Sequence, residues 1–120
     1  MSDAGSVLDS IRATFRGVTF LTRDEAELQH LVARELTRSG IEHEEQVKLG
    51  PGERIDFMCG AVGLELKTMG GLAPLIRQLD RYAESDRVAA LVVLSTRRQL
   101  TFLPSELRGK PVLGLPVGAL

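Results

Sequence analysis

The stretch from Ile55 to Lys67, Ile-Asp-Phe-Met-Cys-Gly-Ala-Val-Gly-Leu-Glu-Leu-Lys, constrains the fold more than any other part of the chain. Its two apolar runs, Ile55 to Cys59 and Ala61 to Lys67, meet at Gly60 as two strands joined by a tight turn. Strand side chains alternate between faces. Val62, Leu64 and Leu66 therefore share one face, and Glu65 and Lys67 the other. In the first run Ile55, Phe57 and Cys59 take the apolar face and leave Asp56 opposite. Pairing of the two strands then brings an aspartate, a glutamate and a lysine onto one face of a small sheet, a candidate active site.

The three residue types belong together chemically. Two carboxylates about 4 Å apart repel by roughly 4 kcal/mol at an effective dielectric near 20, so a cation is expected to share the site. Asp56 and Glu65 are the expected ligands of Mg²⁺ or Mn²⁺, since a hard cation of this kind needs one or two carboxylates plus water and substrate phosphate. Lys67 beside them is suited to orient or deprotonate a water and to offset charge on a phosphorane-like transition state. The set suits metal-assisted phosphodiester hydrolysis.

Asp56 followed by Glu65-Leu66-Lys67 resembles the active-site motif of the PD-(D/E)xK nucleases, the restriction-endonuclease-like superfamily that includes archaeal Holliday-junction resolvases. Ile55 stands where the motif has proline. The following helix carries Gln78-Leu79-Asp80-Arg81-Tyr82, which looks like the Gln-x-x-x-Tyr motif of the exonuclease-like branch. The likeness covers about residues 22 to 117. It implies an α/β, restriction-endonuclease-like fold, a central mixed β-sheet flanked by helices in the order αβββαββ. One domain would span residues 1–120, with 1–21 a leading helix and connector. The resemblance also implies that Gln78 and Tyr82 lie beside the catalytic lysine and the DNA. Gln78 then joins the catalytic set, and Tyr82, Arg77 and Arg81 contact substrate. Relatives often bring a glutamate of the first core helix to the metal. Glu25, in Glu-x-x-Leu-Gln, looks like the family's helix opening, with Glu35 as the alternative. Both flank the apolar stripe of that helix, whereas Glu27 points away from it.

Composition narrows the surroundings. The net charge of −1 gives no general case for nucleic-acid binding, but the charges are divided. Residues 1–53 hold 6 Lys+Arg against 10 Asp+Glu, and the remainder 9 against 6. Arg77, Arg81, Arg87, Arg97, Arg98, Arg108 and Lys110 are therefore candidate phosphate contacts. The single cysteine, Cys59, excludes an internal disulfide or a Cys-rich zinc site and reads as a buried thiol. His30 and His43 have no partner at metal-ligand spacing, and no G-x-G-x-x-G or Walker pattern supports a nucleotide cofactor. With no apolar run of membrane-span length and no signal-peptide pattern, a soluble, cytoplasmic protein away from the membrane is expected.

In chain order, Met1 to Gly5 reads as a loose end. Val7, Leu8, Ile11 and Phe15 recur at helical spacing before Gly17, and Val18 to Leu21 is an extended connector. Thr22 to Glu25 forms a capping-box pattern opening a helix to Ser39, with Leu28, Leu31, Val32, Leu36 and Ser39 inward and Gly40 as its stop. Ile41 to Leu49 reads as an edge strand and Gly50-Pro51-Gly52 as a turn. A helix from Leu72 to Ser85 buries Leu72, Leu75, Ile76, Leu79 and Ala83, with Gln78 and Tyr82 on its flank. Val88 to Ser95 is the continuous apolar run of a central strand. Leu100 to Leu103 is short and extended, and Lys110 to Val117 is a last strand confined to an edge by its prolines.

The expected function is Mg²⁺- or Mn²⁺-dependent cleavage of DNA. Two other readings stay open: a catalytically idle domain of the same fold that binds nucleic acid or protein, and a metal-free interaction module. A homodimer is expected, because a small chain must reach two strands of opposite polarity. The last strand and the N-terminal helix are its candidate contacts. In the competing reading that helix folds back over its own sheet.

Overall fold

The computed structural model describes residues 3–118. In chain order its elements are α1 (Ala4–Phe15), α2 (Glu25–Arg38), β1 (Glu44–Gly50), β2 (Glu53–Cys59), β3 (Val62–Lys67), α3 (Leu72–Tyr82), β4 (Ala90–Ser95), a 3₁₀ turn (Arg98–Thr101), β5 (Glu106–Leu107) and β6 (Lys110–Pro116). They form one mixed six-stranded sheet of order β1-β2-β3-β4-β6-β5. The first three strands make an antiparallel meander, β3, β4 and β6 run parallel, and β5 pairs antiparallel with β6. Parallel neighbours need a crossover connection. Helix α3 supplies the one between β3 and β4.

Helices cover both faces. On one, Ile11 and Phe15 of α1 and Leu28, Val32 and Leu36 of α2 meet Phe57, Leu64, Leu66, Val92 and Leu94. On the other, Leu75, Leu79 and Tyr82 of α3, with Leu100, meet Ile55, Met58, Leu91 and Val93. Each such burial stabilises by about 2 kcal/mol. All six residues of β4 are buried, as a continuous apolar run between two helical layers requires.

Several boundaries differ from expectation. Asp24, not Thr22, caps α2: its carboxylate accepts the Ala26 and Glu27 N–H groups at 2.8 and 3.3 Å, while the Thr22 hydroxyl accepts the N–H of Asp24. Aspartate is the stronger cap, so Glu25 is the first helical residue and not a capping-box partner. Ser39 is the exposed C-cap of α2 rather than part of its inward stripe. The edge strand starts at Glu44, leaving Ile41 and His43 before it. Leu100 falls in the 3₁₀ turn, not in an extended piece, because the Thr101 hydroxyl bonds the Arg98 carbonyl at 2.6 Å. Strand β6 lies inside β5 instead of at the edge, but β5 pairs with it only at Lys110 and Pro111, so the prolines interrupt little of the sheet.

Ala4 and Gly5 form the first turn of α1, with the Asp3 carboxylate accepting the Ser6 N–H at 2.7 Å. Met1 and Ser2, the rest of the expected loose end, lie outside the described residues. Helix α1 folds back over its own sheet, with Ile11 and Phe15 fully buried. No helix among the described residues is long and apolar enough to cross a membrane.

Gly114 on β6 packs against the Thr101 backbone so closely that a Cβ would run into the Thr101 carbonyl. Gly114→Ala should therefore destabilise the fold by about 2 kcal/mol, the usual scale of overpacking. Denaturant unfolding measures this, and an unchanged midpoint would contradict the close approach.

Candidate active site

The candidate residues reach one place because β2 parts from β3. Their ladder runs from the Cys59–Val62 pair to the Phe57–Leu64 pair and stops. The next available N–H on β3, that of Leu66, donates to the Asp56 carboxylate, Oδ2 accepting it at 2.8 Å. Asp56 Oδ1 accepts from Gln46 Nε2 at 3.3 Å. Gln46 stands on β1 between the Glu45–Phe57 and Val47–Ile55 pairs. Its φ of 52° is left-handed, a conformation that costs a non-glycine residue about 1 kcal/mol or more. The irregularity also interrupts the pleat of β2. Phe57 and Cys59 pack under α2, but Ile55 packs under α3. The expectation that these three share a face fails at Ile55, since at Asp56 a side chain rather than the main chain bonds the neighbouring strand.

Glu65 and Lys67 do share a face of β3, and Lys67 Nζ lies 3.5 Å from Glu65 Oε2. Glu65 is only 5 % exposed. Burial is the main cause that pushes its pKa up to about 8; the Asp56 charge adds to the rise and Lys67 opposes it. Glu65 on its own thus keeps its proton at neutral pH. Helix α3 accommodates that proton. The Tyr82 hydroxyl lies 2.8 Å from the Arg54 carbonyl and 3.3 Å from Glu65 Oε1, and it accepts from Gln78 Nε2 at 3.0 Å. A phenol has one proton and two lone pairs. Donating to Arg54 leaves a lone pair for a protonated Glu65; once Glu65 ionises, the same hydroxyl can donate to it. Burial, then the charges of Glu65 and Asp56, hold the Tyr82 phenol well above its ordinary value, so it serves as a neutral donor.

Helix α2 meets the site through Gln29, whose Nε2 donates to Glu45 Oε1 at 3.0 Å and to the Asp56 carbonyl at 3.4 Å. Glu25 is exposed and lies one turn before Gln29 on the same flank. Glu35 sits toward the other end of α2 and pairs with Arg38 at 3.3 Å. Of the two helix carboxylates, Glu25 is on the side of the site.

The structure redistributes the other candidates. Tyr82 is 1 % exposed, so its hydroxyl faces Glu65 and not solvent. Arg81 is held by Glu53 at 2.7 Å, while Arg77 is exposed. Arg87 pairs with Glu44 at 3.4 Å, and Arg108 with Asp80 and Glu84 at 3.1 and 3.0 Å. Lys110 donates to the Ala83 and Ser85 carbonyls at the end of α3, a helix-terminus role. Cys59 is buried, and burial pushes its thiol up to about 12, which makes it inert. Gln29 and Gln46 escape sequence reasoning because a lone amide leaves no periodic mark. No group of three or more His, Cys, Asp or Glu is placed to hold a metal among the described residues. Asp56 and Glu65 are a pair of hard oxygen donors.

A raised folded-state pKa on an acid means that the folded protein holds the proton more tightly than the unfolded chain. Stability attached to Glu65 is therefore complete below its ordinary value of 4.5 and is lost as pH rises toward about 8. In chelator, the parent should lose a few kcal/mol over that range, and Glu65→Gln should flatten the upper part of the profile, above the range of ordinary carboxylates. Chemical denaturation at several pH values measures both. A parent profile flat from about pH 6 upward would contradict the assignment.

Compared with protein-family models, with curated proteins and with solved structures, the chain matches none of them.

Proposed function

We propose that the chain is a metal-dependent deoxyribonuclease on the restriction-endonuclease-like plan of the PD-(D/E)xK superfamily. The observation that carries this reading is the meeting of Asp56, Glu65 and Lys67 where β2 parts from β3. Its support from the fold is the order of α2, a three-stranded meander and α3, followed by strands parallel to β3.

Asp56 and Glu65 would hold Mg²⁺ or Mn²⁺, and the donor set fits. Two carboxylates suffice for such an ion when water and phosphate complete the shell. Burial first, and then the Asp56 charge, favours the protonated form of Glu65; a divalent cation held by both carboxylates would favour the ionised form instead. When bound, the ion supplies Lewis-acid charge at the phosphate and acidifies a water.

The remaining tasks fall to the chain. The Leu66 N–H and Gln46 fix the Asp56 carboxylate before substrate arrives, so no ordering cost falls on the reaction. Lys67, partly exposed beside Glu65, orients the attacking water and offsets charge as it develops on the phosphate. Gln78 and Tyr82 hold Glu65 from beneath, and Glu25 completes the site from α2. The substrate is DNA. A homodimer is the unit that would cut both strands, through surfaces other than the buried side of α1.

Asp56→Asn keeps an acceptor for the Leu66 N–H while removing the charge. It should abolish Mg²⁺- or Mn²⁺-dependent cleavage of supercoiled, linear and branched DNA and leave the circular dichroism spectrum unchanged. Cleavage that persists in this variant, or in excess chelator, would overturn the reading.

Lys67→Ala should slow cleavage by a factor of about 10² while DNA binding changes little. A rate within a few-fold of the parent would reduce Lys67 to a surface charge.

A further inference from the structure

Past Lys67 the chain lines a groove along the C-terminal ends of the parallel strands. One section, of about 730 Å³, is bounded by Leu21, Arg23, Met69 and Arg97. A second, of about 580 Å³, is bounded by Val18, Arg98 and Gln99. Thr96, Arg97 and Gly118 line both, so the two sections adjoin along these residues. Backbone pairing builds one wall. The Phe20 N–H donates to the Val117 carbonyl at 2.7 Å and Phe20 bridges Gly118, which carries Leu21 to Arg23 past the strand ends. Ser95 lies buried behind this lining: its hydroxyl donates to the Lys67 carbonyl at 2.8 Å and accepts the Arg97 N–H at 3.0 Å. A single buried side chain thus ties the backbone of Lys67 to that of a groove arginine.

The lining is selective. It contains three arginines, Arg23, Arg97 and Arg98, and four threonines, with no Asp or Glu, in a chain that has 16 of those acids. Among the described residues none of the three arginines forms an ion pair, a state they share with Arg12, Arg16, Arg34, Arg54 and Arg77; the groove differs in gathering three of them with no carboxylate beside them. Beside them stand two large exposed apolar side chains, Leu21 at 85 % and Met69 at 71 %. The Gln99 amide oxygen accepts from the Arg97 guanidinium and so orients it without neutralising its charge; guanidinium groups with no carboxylate partner, together with hydroxyls, suit phosphates. Exposed Leu and Met suit the faces of unstacked bases, which a duplex keeps inside. A blunt duplex would use the arginines and leave Leu21 and Met69 idle.

We infer that this groove binds a single strand of DNA and leads it to Lys67, so that the substrate is a single-stranded tail or branch rather than blunt duplex. The cleavage half of this inference rests on the nuclease reading; the binding half does not.

Fluorescence anisotropy in excess chelator tests binding alone. The probes are a labelled single-stranded oligonucleotide of mixed sequence, the same sequence as blunt duplex, and that duplex with a single-stranded tail. The single strand and the tailed duplex should bind at least about tenfold more tightly than the blunt duplex. Arg23→Ala and Arg97→Ala should each weaken single-strand binding and reduce its log–log salt slope by about 0.7, one phosphate contact apiece. Leu21→Ala combined with Met69→Ala should weaken it with the salt slope unchanged. All four side chains are exposed, and circular dichroism checks that the variants fold. Equal affinity for blunt duplex, or single-strand binding indifferent to these substitutions, would overturn the groove. Repeating the series with Mn²⁺ separates the two claims. Binding as expected with no cleavage of any probe would leave the groove standing and remove the nuclease. Cleavage that ignores the groove substitutions would do the reverse.

Discussion

The hydrogen bond from the Leu66 N–H to the Asp56 carboxylate, 2.8 Å long, stands where a backbone carbonyl would continue the β2–β3 ladder. A bond to a charged acceptor is worth about 1.5–3 kcal/mol, enough to offset the strain at Gln46. Its geometric consequences are wider. Strand β2 turns away from β3 beyond Phe57, Ile55 moves to the α3 side of the sheet, and Asp56 becomes the electrostatic neighbour of Glu65. Two carboxylates from adjacent strands then share one place because one of them is also part of the sheet's hydrogen bonding.

Charge follows from that arrangement. The sheet and α3 bury Glu65 beside Asp56, and Lys67 supplies the one close positive partner among the described residues. A buried carboxylate beside a like charge is relieved by a proton or a cation, and the network of Gln78, Tyr82 and the Arg54 carbonyl is arranged to tolerate either state of Glu65. Along the strand ends lies a groove of arginines and threonines that holds no acidic residue. Under the proposed function the two carboxylates would take the cation and the arginine-lined groove the phosphate backbone.

The hairpin and its three charged residues were legible because two apolar runs around Gly60 leave one pairing, and alternation then assigns the faces. The central β4 was legible because the continuous apolar run Val88 to Ser95 leaves a strand no polar side, and the strand occupies Ala90–Ser95 of it. Ile55 was misplaced because alternation assumes an unbroken ladder, and only the Asp56 side chain breaks it. Tyr82 read as a flank residue on an isolated helix, but α3 ends there and its last turn sinks beneath β2, against the Arg54 carbonyl. Arg81 and Arg108 looked as free as Arg97, since ion pairs to Glu53 and Asp80 span 28 residues of sequence. The groove gathers residues from near 20, 68, 97 and 117, and no local pattern assembles four such segments.

At the centre of the proposed function Asp56 and Glu65 act as one cation site, and a metal taken up there would displace the proton that burial favours on Glu65. Calorimetric titration of Mn²⁺ at neutral pH, in buffers of different ionisation enthalpy, reads binding and proton release together. The account predicts that Mn²⁺ binds with release of about one proton. It further predicts that Glu65→Gln removes the release and that Asp56→Asn removes the binding. Binding without proton release, or binding unchanged in Asp56→Asn, would contradict it.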